Sequence, residues 1–259
     1  MLYGDEATPV LDADEVARYL ERTLGISAAA KPDFIRRFGG KRKGLAESMA
    51  EARVHDVSRP FSLEEPAYGE VAFERRSLEE PGKRSPGVLY DGLRLQKTFR
   101  EMLPARERTL RVQHIVFTSR LIGTFESDGR YHAHVNLCGY PSIVSTSGVV
   151  EAPARPREYY LLKQRFIEAG EAVPFELLKE RFSGQFIDYD DPRLTEVLKG
   201  YALQCAVYSI TKESFCAKKT CRLFDAHWQA EMIAAQLGGE RFCEKHSALL
   251  KAIKDAATS

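Results

Sequence analysis

The sequence lacks any run of residues that is long and apolar enough to cross a membrane. Its longest uncharged run, with histidine counted as neutral, is residues 131–150. That run contains His, Asn, Ser, Thr, Pro and Gly, which are costly in lipid. The N-terminus also lacks a basic segment followed by an apolar core, so we expect no secretory leader. These two absences predict a cytoplasmic protein without a membrane partner.

An excess of charge of one sign is also absent. The 259 residues include 38 Lys+Arg and 37 Asp+Glu, a formal net charge of +1. This balance argues against a protein that mainly coats nucleic acid or an anionic membrane. No GxxxxGK[ST] or GxGxxG motif is present, so the sequence has no nucleotide-binding signature. Residues 36–43 hold five cations, which can contact phosphate but are more often part of a solvated loop.

The order of the predicted elements indicates an α+β fold. Strands are predicted at residues 2–3, 109–118 and 130–138, with an extended segment at 141–150, and the later part of the chain reads as helices at 157–170, 175–182, 192–211, 225–239 and 248–257. Early strands followed by late helices predict helices on one side of a sheet, in a single domain of residues 1–259.

Two shorter segments complete this outline. The stretch from residue 11 to Gly25 predicts a helix that has Asp12 or Asp14 as its N-terminal cap and ends at the glycine. Residues 59–88 contain four of the twelve prolines. We therefore predict a long surface connection there, with one strand at residues 69–75 inside it.

The most specific chemical signal is a set of cysteines near the C-terminus. Cys216 and Cys221 form one pair, and Cys243 and His246 form a second pair after a spacer of residues 222–242. Three thiolates and one imidazole match a closed tetrahedral zinc site, which stabilises a fold and offers no open position for chemistry. The alternative is four separate residues that never meet. The spacing favours one structural zinc ion.

This pattern, FC-x4-C-x-L followed by FC-x-x-H, resembles the archaemetzincins, archaeal and eukaryotic relatives of the zinc peptidases. It is also similar to an uncharacterised archaeal group described as metallopeptidases. The segments MLYGD, YDGLRLQKTFREMLP and PSIVSTSGVV resemble other parts of the family. The resemblance implies a zincin-like fold with a mixed sheet, a structural zinc held by the four residues above, and Leu223 in place of the Met-turn methionine.

The same resemblance places the catalytic helix at GYALQCAVYSITKES, and there the sequence departs from the family. Cys205 stands where the first catalytic histidine is expected, Ala206 replaces the general-base glutamate, and Ser209 replaces the second histidine. A catalytic zinc needs about three protein ligands and an open position. The HExxH motif is missing, so the resemblance does not imply peptide hydrolysis on this helix.

A relocated metal is the alternative source of catalysis. His132 and His134 project from one face of a predicted strand because side chains alternate with a period of two. Asp128 and Glu151 flank this pair, and His114 lies on the strand expected beside it. Two histidines and one carboxylate are a catalytic ligand set, and the alternative is a polar strand face that binds no metal.

Two functions follow as hypotheses. The first is a degenerate, non-catalytic metallopeptidase relative that binds a peptide or protein in the former substrate cleft, with the strand at residues 130–138 as its edge. The second is a metal-dependent hydrolase whose catalytic site has moved to His132, His134 and Glu151. A nucleic-acid partner is not expected.

Overall fold

The computed structural model describes residues 1–61, 64–109, 111–213, 215–239 and 241–258. Within these ranges the strands are β1 (Leu2–Tyr3), β2 (Ala30–Lys31), β3 (Leu89–Asp91), β4 (Ile115–Thr118), β5 (Leu121–Phe125), β6 (Tyr131–His134), β7 (Asn136–Leu137) and β8 (Ser142–Ser145). The helices are α1 (Ala13–Leu24), α2 (Phe34–Phe38), α3 (Leu45–Glu51), α4 (Tyr68–Glu79), α5 (Gly92–Met102), α6 (Thr146–Glu151), α7 (Arg157–Glu168), α8 (Phe175–Arg181), α9 (Leu194–Thr211), α10 (Gln229–Leu237) and α11 (Glu244–Thr258).

The described strands form two mixed sheets. The five-stranded sheet has the order β2-β1-β4-β8-β7, in which only β7 runs antiparallel to its neighbour. The three-stranded sheet has the order β3-β5-β6, with β3 parallel and β6 antiparallel to β5. β6 and β7 follow each other in the chain and are outermost in their sheets, so residues 131–137 form a border of both. The predicted α+β class is confirmed.

Helices pack on both faces of the five-stranded sheet. Leu2, Ile115 and Phe117 belong to one buried core with α1 and α9. Tyr3 and Val116, whose side chains alternate with these, belong to a second core with α2, α3 and α5. The expectation of helices on one side was wrong, because parallel strands are joined by crossovers that cover both faces of a sheet.

The central helix is α9, which the sequence predicts at residues 192–211. Its residues from Leu194 to Val207 are buried except for Glu196, as expected for a helix enclosed by protein. Helix α10 packs closely against it at Gly200, where a Cβ atom would lie 1.7 Å from the Gln236 Oε1. No helix among the described residues is long and apolar enough to span a membrane.

Helix α1 begins and ends where the sequence predicts. The Asp12 carboxylate accepts a hydrogen bond of 2.7 Å from the Glu15 N–H, and Gly25 ends the helix with a φ of 69°. A carboxylate cap and a left-handed glycine satisfy backbone groups that the helix itself leaves unpaired.

The strand predicted at residues 69–75 was wrong, because this segment belongs to helix α4. The Glu70 carboxylate accepts a hydrogen bond from the Ala67 N–H and so starts the helix. One turn further on, Glu74 is fully buried and accepts a hydrogen bond of 2.8 Å from the Tyr90 hydroxyl. These contacts need helical spacing and outweigh the short alternation of apolar residues. Residues 62 and 63 of the predicted connection lie outside the described residues.

Two further extended segments are shorter than predicted. The strand predicted at residues 109–118 pairs with its neighbours only from Ile115 onward, as β4. Upstream, the Val112 N–H donates to the Thr109 carbonyl. Leu110 lies outside the described residues. The segment at 141–150 is extended only through Ser145. The Ser145 hydroxyl then caps helix α6 by accepting a hydrogen bond of 2.8 Å from the Gly148 N–H.

Candidate functional site

The structure brings Cys216, Cys221, Cys243 and His246 into one cluster. Their sulfur and nitrogen atoms all lie within 4.8 Å of one another. The Sγ atoms of Cys216 and Cys243 are 3.8 Å apart, and the His246 Nδ1 lies 3.5 Å from the Cys221 Sγ and 3.1 Å from the Cys243 Sγ. In the described parts of the chain, no other group of three or more metal-ligating side chains converges in this way.

These distances fit a tetrahedral zinc ion. Zn–S bonds of about 2.3 Å and Zn–N bonds of about 2.05 Å give S–S edges of about 3.8 Å and S–N edges of about 3.6 Å. The observed S–S distance of 3.8 Å and one S–N distance of 3.5 Å match these edges, and the second S–N distance of 3.1 Å is shorter. Four protein ligands fill a tetrahedron and leave no position for substrate or water.

Local hydrogen bonds shape the first cysteine pair into a tight loop. The Cys216 N–H donates to the Leu223 carbonyl at 2.8 Å, and the Cys221 N–H donates to the Lys218 carbonyl at 2.9 Å. The Lys218 N–H points at the Cys216 Sγ, 3.3 Å away. Such N–H donors favour the charged form of a sulfur ligand. The second pair, Cys243 and His246, is brought together by a helical turn, because Cys243 directly precedes α11 and His246 lies in its first turn.

The electrostatics of the cluster also favour a cation. Burial lowers the pKa of His246 and keeps its imidazole neutral at pH 7, which is the form that binds a metal. Burial raises the pKa of Cys221 to about 11, so this thiol gives up its proton near neutral pH only when a cation compensates the charge. Burial also acts to raise the pKa of Cys243, but hydrogen bonds from His246 and the neighbouring thiols outweigh it and lower the pKa.

A buried arginine anchors the first cysteine loop to helix α9. The side chain of Arg222 is fully buried and donates to the Glu196 carboxylate at 2.6 Å and to the Glu196 main-chain carbonyl at 2.8 Å. The main-chain N–H of Arg222 donates to the Arg241 carbonyl at 2.8 Å. This hydrogen bond links the loop to the chain just before Cys243. This contact has no local signal in the sequence, because nothing distinguishes Arg222 from the other arginines.

A separate cleft lies between residues 131–138 and helix α9. Its volume is about 780 Å³, within the range of small-ligand and peptide sites. Its walls come from the end of β5, residues 132–138, the turn after α6, helix α9, and the loop between α9 and α10. The lining residues are Thr124, Glu126, His132, Ala133, His134, Val135, Asn136, Leu137, Cys138, Ala152, Pro153, Tyr201, Tyr208, Phe215, Asp225, Ala226 and His227.

His132 and His134 lie on the rim of this cleft, but each has its own carboxylate partner. The His132 Nε2 is 2.9 Å from the Asp128 Oδ2. The His134 Nε2 is 2.7 Å from the Thr124 Oγ1 and 3.3 Å from the Glu126 Oε1. The two rings therefore bind different neighbours.

The remaining members of the predicted catalytic set lie elsewhere. Glu151, at the end of α6, accepts a hydrogen bond from the Tyr189 hydroxyl and is not part of the cleft lining. His114 is fully buried, with its Nδ1 2.8 Å from the Tyr3 hydroxyl. The expectation that His114 neighbours the histidine strand was wrong, because β6 pairs with β5 and not with β4. The structure does not bring this set together.

The basic run is engaged in internal ion pairs. Arg36 lies 2.7 Å from the Glu6 carboxylate, and Arg42 lies 2.8 Å from the Glu101 carboxylate. The interpretation of a solvated loop was wrong for the first part of this run, because Arg36 and Arg37 lie in helix α2.

The family resemblance placed residues 200–214 at the cleft, but the sequence analysis did not single out the α9 tyrosines that line it. Tyr201 and Tyr208 are seven residues apart and so lie on one helix face, with Cys205 between them. In the sequence they read as ordinary apolar positions of a buried helix. The Tyr201 hydroxyl is buried and has no hydrogen-bond partner among the described residues. The spacing of Tyr201 and Tyr208 indicates that they share a helix face. Only the packing of α9 against residues 131–138 identifies that face as a cleft wall.

Together, these features define a mixed α+β protein with a C-terminal Cys₃His cluster compatible with zinc and a separate cleft beside its central helix. Residues 1–253 match the family described as "Probable metallopeptidase family (DUF6775)", and the chain belongs to that family. This confirms the metallopeptidase relationship that the sequence indicated, while the narrower resemblance to archaemetzincins stays a prediction.

Among solved structures, the chain is similar to a zinc-dependent peptidase from Methanocorpusculum labreanum. The two are 14% identical with a TM-score of 0.48, and the match covers 96% of this chain and 98% of that chain. No curated protein matches the chain in sequence.

Proposed function

We propose that this chain is a peptide-binding member of its metallopeptidase family. One structural zinc, held by Cys216, Cys221, Cys243 and His246, stabilises the C-terminal region. The cleft beside α9 binds an extended peptide and does not hydrolyse it.

One observation carries the non-catalytic part of this proposal. The wall of the cleft formed by α9 presents Tyr201 and Tyr208, and the helix contains no histidine. A catalytic zinc needs about three protein ligands and an open position that activates water. Glu196 is the only carboxylate of α9, and it pairs with Arg222 and Lys199. Apart from the buried Cys205 thiol, the helix has no side chain left to hold a hydrolytic metal, and one ligand is too few.

The shape and lining of the cleft support a peptide as the ligand. Residues 132–138 line it along an extended segment, which at about 3.3 Å per residue offers a length of about 20 Å, enough for six residues of a peptide. Tyr208 and Phe215 supply apolar contact area, and the exposed fraction of Phe215 is 42%. Aromatic side chains are typical anchors in protein interfaces.

The zinc assignment is tested by the metal content of untagged protein, measured by elemental analysis against protein concentration. We expect one zinc per chain. Cys216→Ser should lose it and lower the melting temperature, because binding of a structural metal contributes directly to folding. Cys138→Ser, a cysteine outside the cluster, is the matched control and should keep its zinc. Unchanged zinc content and melting in Cys216→Ser would contradict the assignment.

Peptide binding is tested with a panel of fluorescein-labelled ten-residue peptides of varied sequence. We expect some of them to show raised fluorescence anisotropy with the zinc-loaded protein and to stay intact by mass spectrometry. Tyr208→Ala should weaken binding by about fivefold, a loss of about 1 kcal/mol for an aromatic contact. Tyr68→Ala is the matched control, because this tyrosine is 86% exposed and lies outside the cleft.

Two results would overturn the proposal. If no peptide in the panel binds, the cleft is not a peptide site. If the peptides are cleaved and the double variant His132→Ala/His134→Ala abolishes cleavage, the relocated hydrolase site is correct.

A further inference from the structure

Two cysteines outside the Cys₃His cluster meet at the cleft. Cys138 directly follows β7, and Cys205 lies in the middle of α9. Their Sγ atoms are 3.9 Å apart although 67 positions separate them in the sequence. Cys205 is fully buried, whereas Cys138 is half-buried and lines the cleft. One sulfur is therefore accessible to a small reagent, and the other lies directly behind it.

The surroundings of this pair do not complete a metal site. The Asn136 Nδ2 lies 3.9 Å from the Cys138 Sγ and 3.7 Å from the Cys205 Sγ, and an amide N–H donor cannot ligate a cation. No third histidine, cysteine or carboxylate of the described residues has its ligand atom close enough to form a group with both sulfurs. Each of the two thiols thus lies beside the other thiol and the Asn136 amide, but no third metal ligand is close to both.

We propose that Cys138 and Cys205 are a redox site that closes a reversible disulfide across the floor of the cleft, with glutathione disulfide as the oxidant. An S–S bond of about 2.05 Å requires the sulfurs to approach by about 1.9 Å. The bond would join the end of β7 to α9, the two elements that face each other across the cleft.

The reaction proceeds in two exchanges. The Cys138 thiol loses its proton to solvent, and its thiolate attacks one sulfur of glutathione disulfide, which releases the first glutathione thiolate. The Cys205 thiol then loses its proton to solvent, and its sulfur attacks the Cys138 sulfur of the mixed disulfide and releases the second glutathione thiolate. Each of the two released thiolates takes up a proton from solvent. Two protein thiols become one disulfide, and the two electrons reduce glutathione disulfide to two molecules of glutathione. The nearby Cys205 thiol and burial raise the pKa of Cys138, so the first exchange should accelerate as pH rises.

The test uses full-length, zinc-loaded protein in glutathione buffers of increasing oxidised fraction, followed by trapping with N-ethylmaleimide and mass spectrometry after proteolysis. We expect two thiols per chain to be lost together, one cross-linked peptide that joins Cys138 to Cys205, an unchanged zinc content, and reversal by dithiothreitol. The oxidised protein should melt several degrees higher, because the bond closes a long loop in the unfolded chain.

Matched variants separate this site from the zinc cluster. Cys138→Ser and Cys205→Ser each leave the Cys₃His cluster intact and should give no internal cross-link and no rise in melting temperature. Three results would overturn the proposal: both thiols stay free at every glutathione ratio, the cross-link joins a cysteine of the zinc cluster, or a chelator releases a second zinc that both variants lack. None of these results depends on whether peptides bind.

Discussion

The ion pair between Glu196 and Arg222 should make Glu196→Ala strongly destabilising. The Arg222 side chain has no exposed area, and its guanidinium lies 2.6 Å from the Glu196 carboxylate. Removing one partner of a buried pair costs about 3–5 kcal/mol, because the other charge stays buried without compensation. The two remaining contacts of the guanidinium are the Glu196 main-chain carbonyl at 2.8 Å and the Tyr19 ring at 4.8 Å.

Two features reduce this cost, and one adds to it. The Glu196 side chain is 39% exposed, so water screens part of the interaction, and the retained carbonyl and ring stabilise the cation. Glu196 also lies in the first turn of α9, where the helix dipole favours a carboxylate by about 0.3–1 kcal/mol. We therefore expect Glu196→Ala to lower the free energy of unfolding by about 2–3 kcal/mol, and Glu196→Gln by about half as much, because an amide oxygen still accepts a hydrogen bond.

Urea denaturation of zinc-saturated protein, followed by far-UV circular dichroism, measures this difference. Glu15→Ala is the matched control: Glu15 is 46% exposed, and its partner Lys199 keeps the Glu196 carboxylate at 2.6 Å. Its expected cost is about 0–1 kcal/mol. A loss below about 0.5 kcal/mol in Glu196→Ala, or a loss equal to that of the control, would refute the reasoning from burial.

Three further predictions concern packing, pH and metal content. Gly200→Ala should cost about 1–3 kcal/mol in urea denaturation, because its Cβ would lie 1.7 Å from the buried Gln236 Oε1, whereas Gly69→Ala has open space and should cost nothing. Burial raises the pKa of Glu74, so the folded state keeps a proton that the unfolded state loses, and stability should fall as pH rises above 4.5. Glu74→Gln should remove this dependence on pH in thermal melts. An unchanged dependence would contradict the assignment. The double variant His132→Ala/His134→Ala should keep one zinc per chain in elemental analysis, and a loss of zinc would show that the rim histidines bind it.

The sequence predicted those features of the site whose residues are neighbours in the chain. Each pair of the Cys₃His cluster is local, and Cys216 and Cys221 are brought together by a single tight loop. Helix α1 was predicted with its ends because Asp12 and Gly25 are local caps. In these cases, the physical cause of the structure lies within a few residues.

The predictions that were wrong concern features that depend on contacts between distant segments. His114 was expected beside His132, but strand order is set by which faces are buried, and β5 takes the neighbouring position. Residues 69–75 alternate too briefly to specify a strand, and the burial of Glu74 against Tyr90 requires a helix. The cleft wall on α9 has no local signal, because Tyr201 and Tyr208 resemble core residues until the opposite wall is known.

The cluster and the cleft are coupled through one buried glutamine. The Gln204 side chain is fully buried in α9; its Oε1 accepts a hydrogen bond of 3.0 Å from the Asn136 amide of β7, and its Nε2 donates to the Phe224 carbonyl at 3.1 Å. Phe224 follows Cys221 by three residues and precedes Asp225, which lines the cleft. A metal that fixes Cys221 therefore also fixes the loop that forms part of the cleft wall. A zinc ion held in the cluster would in this way stabilise the cleft wall without contacting a ligand bound there.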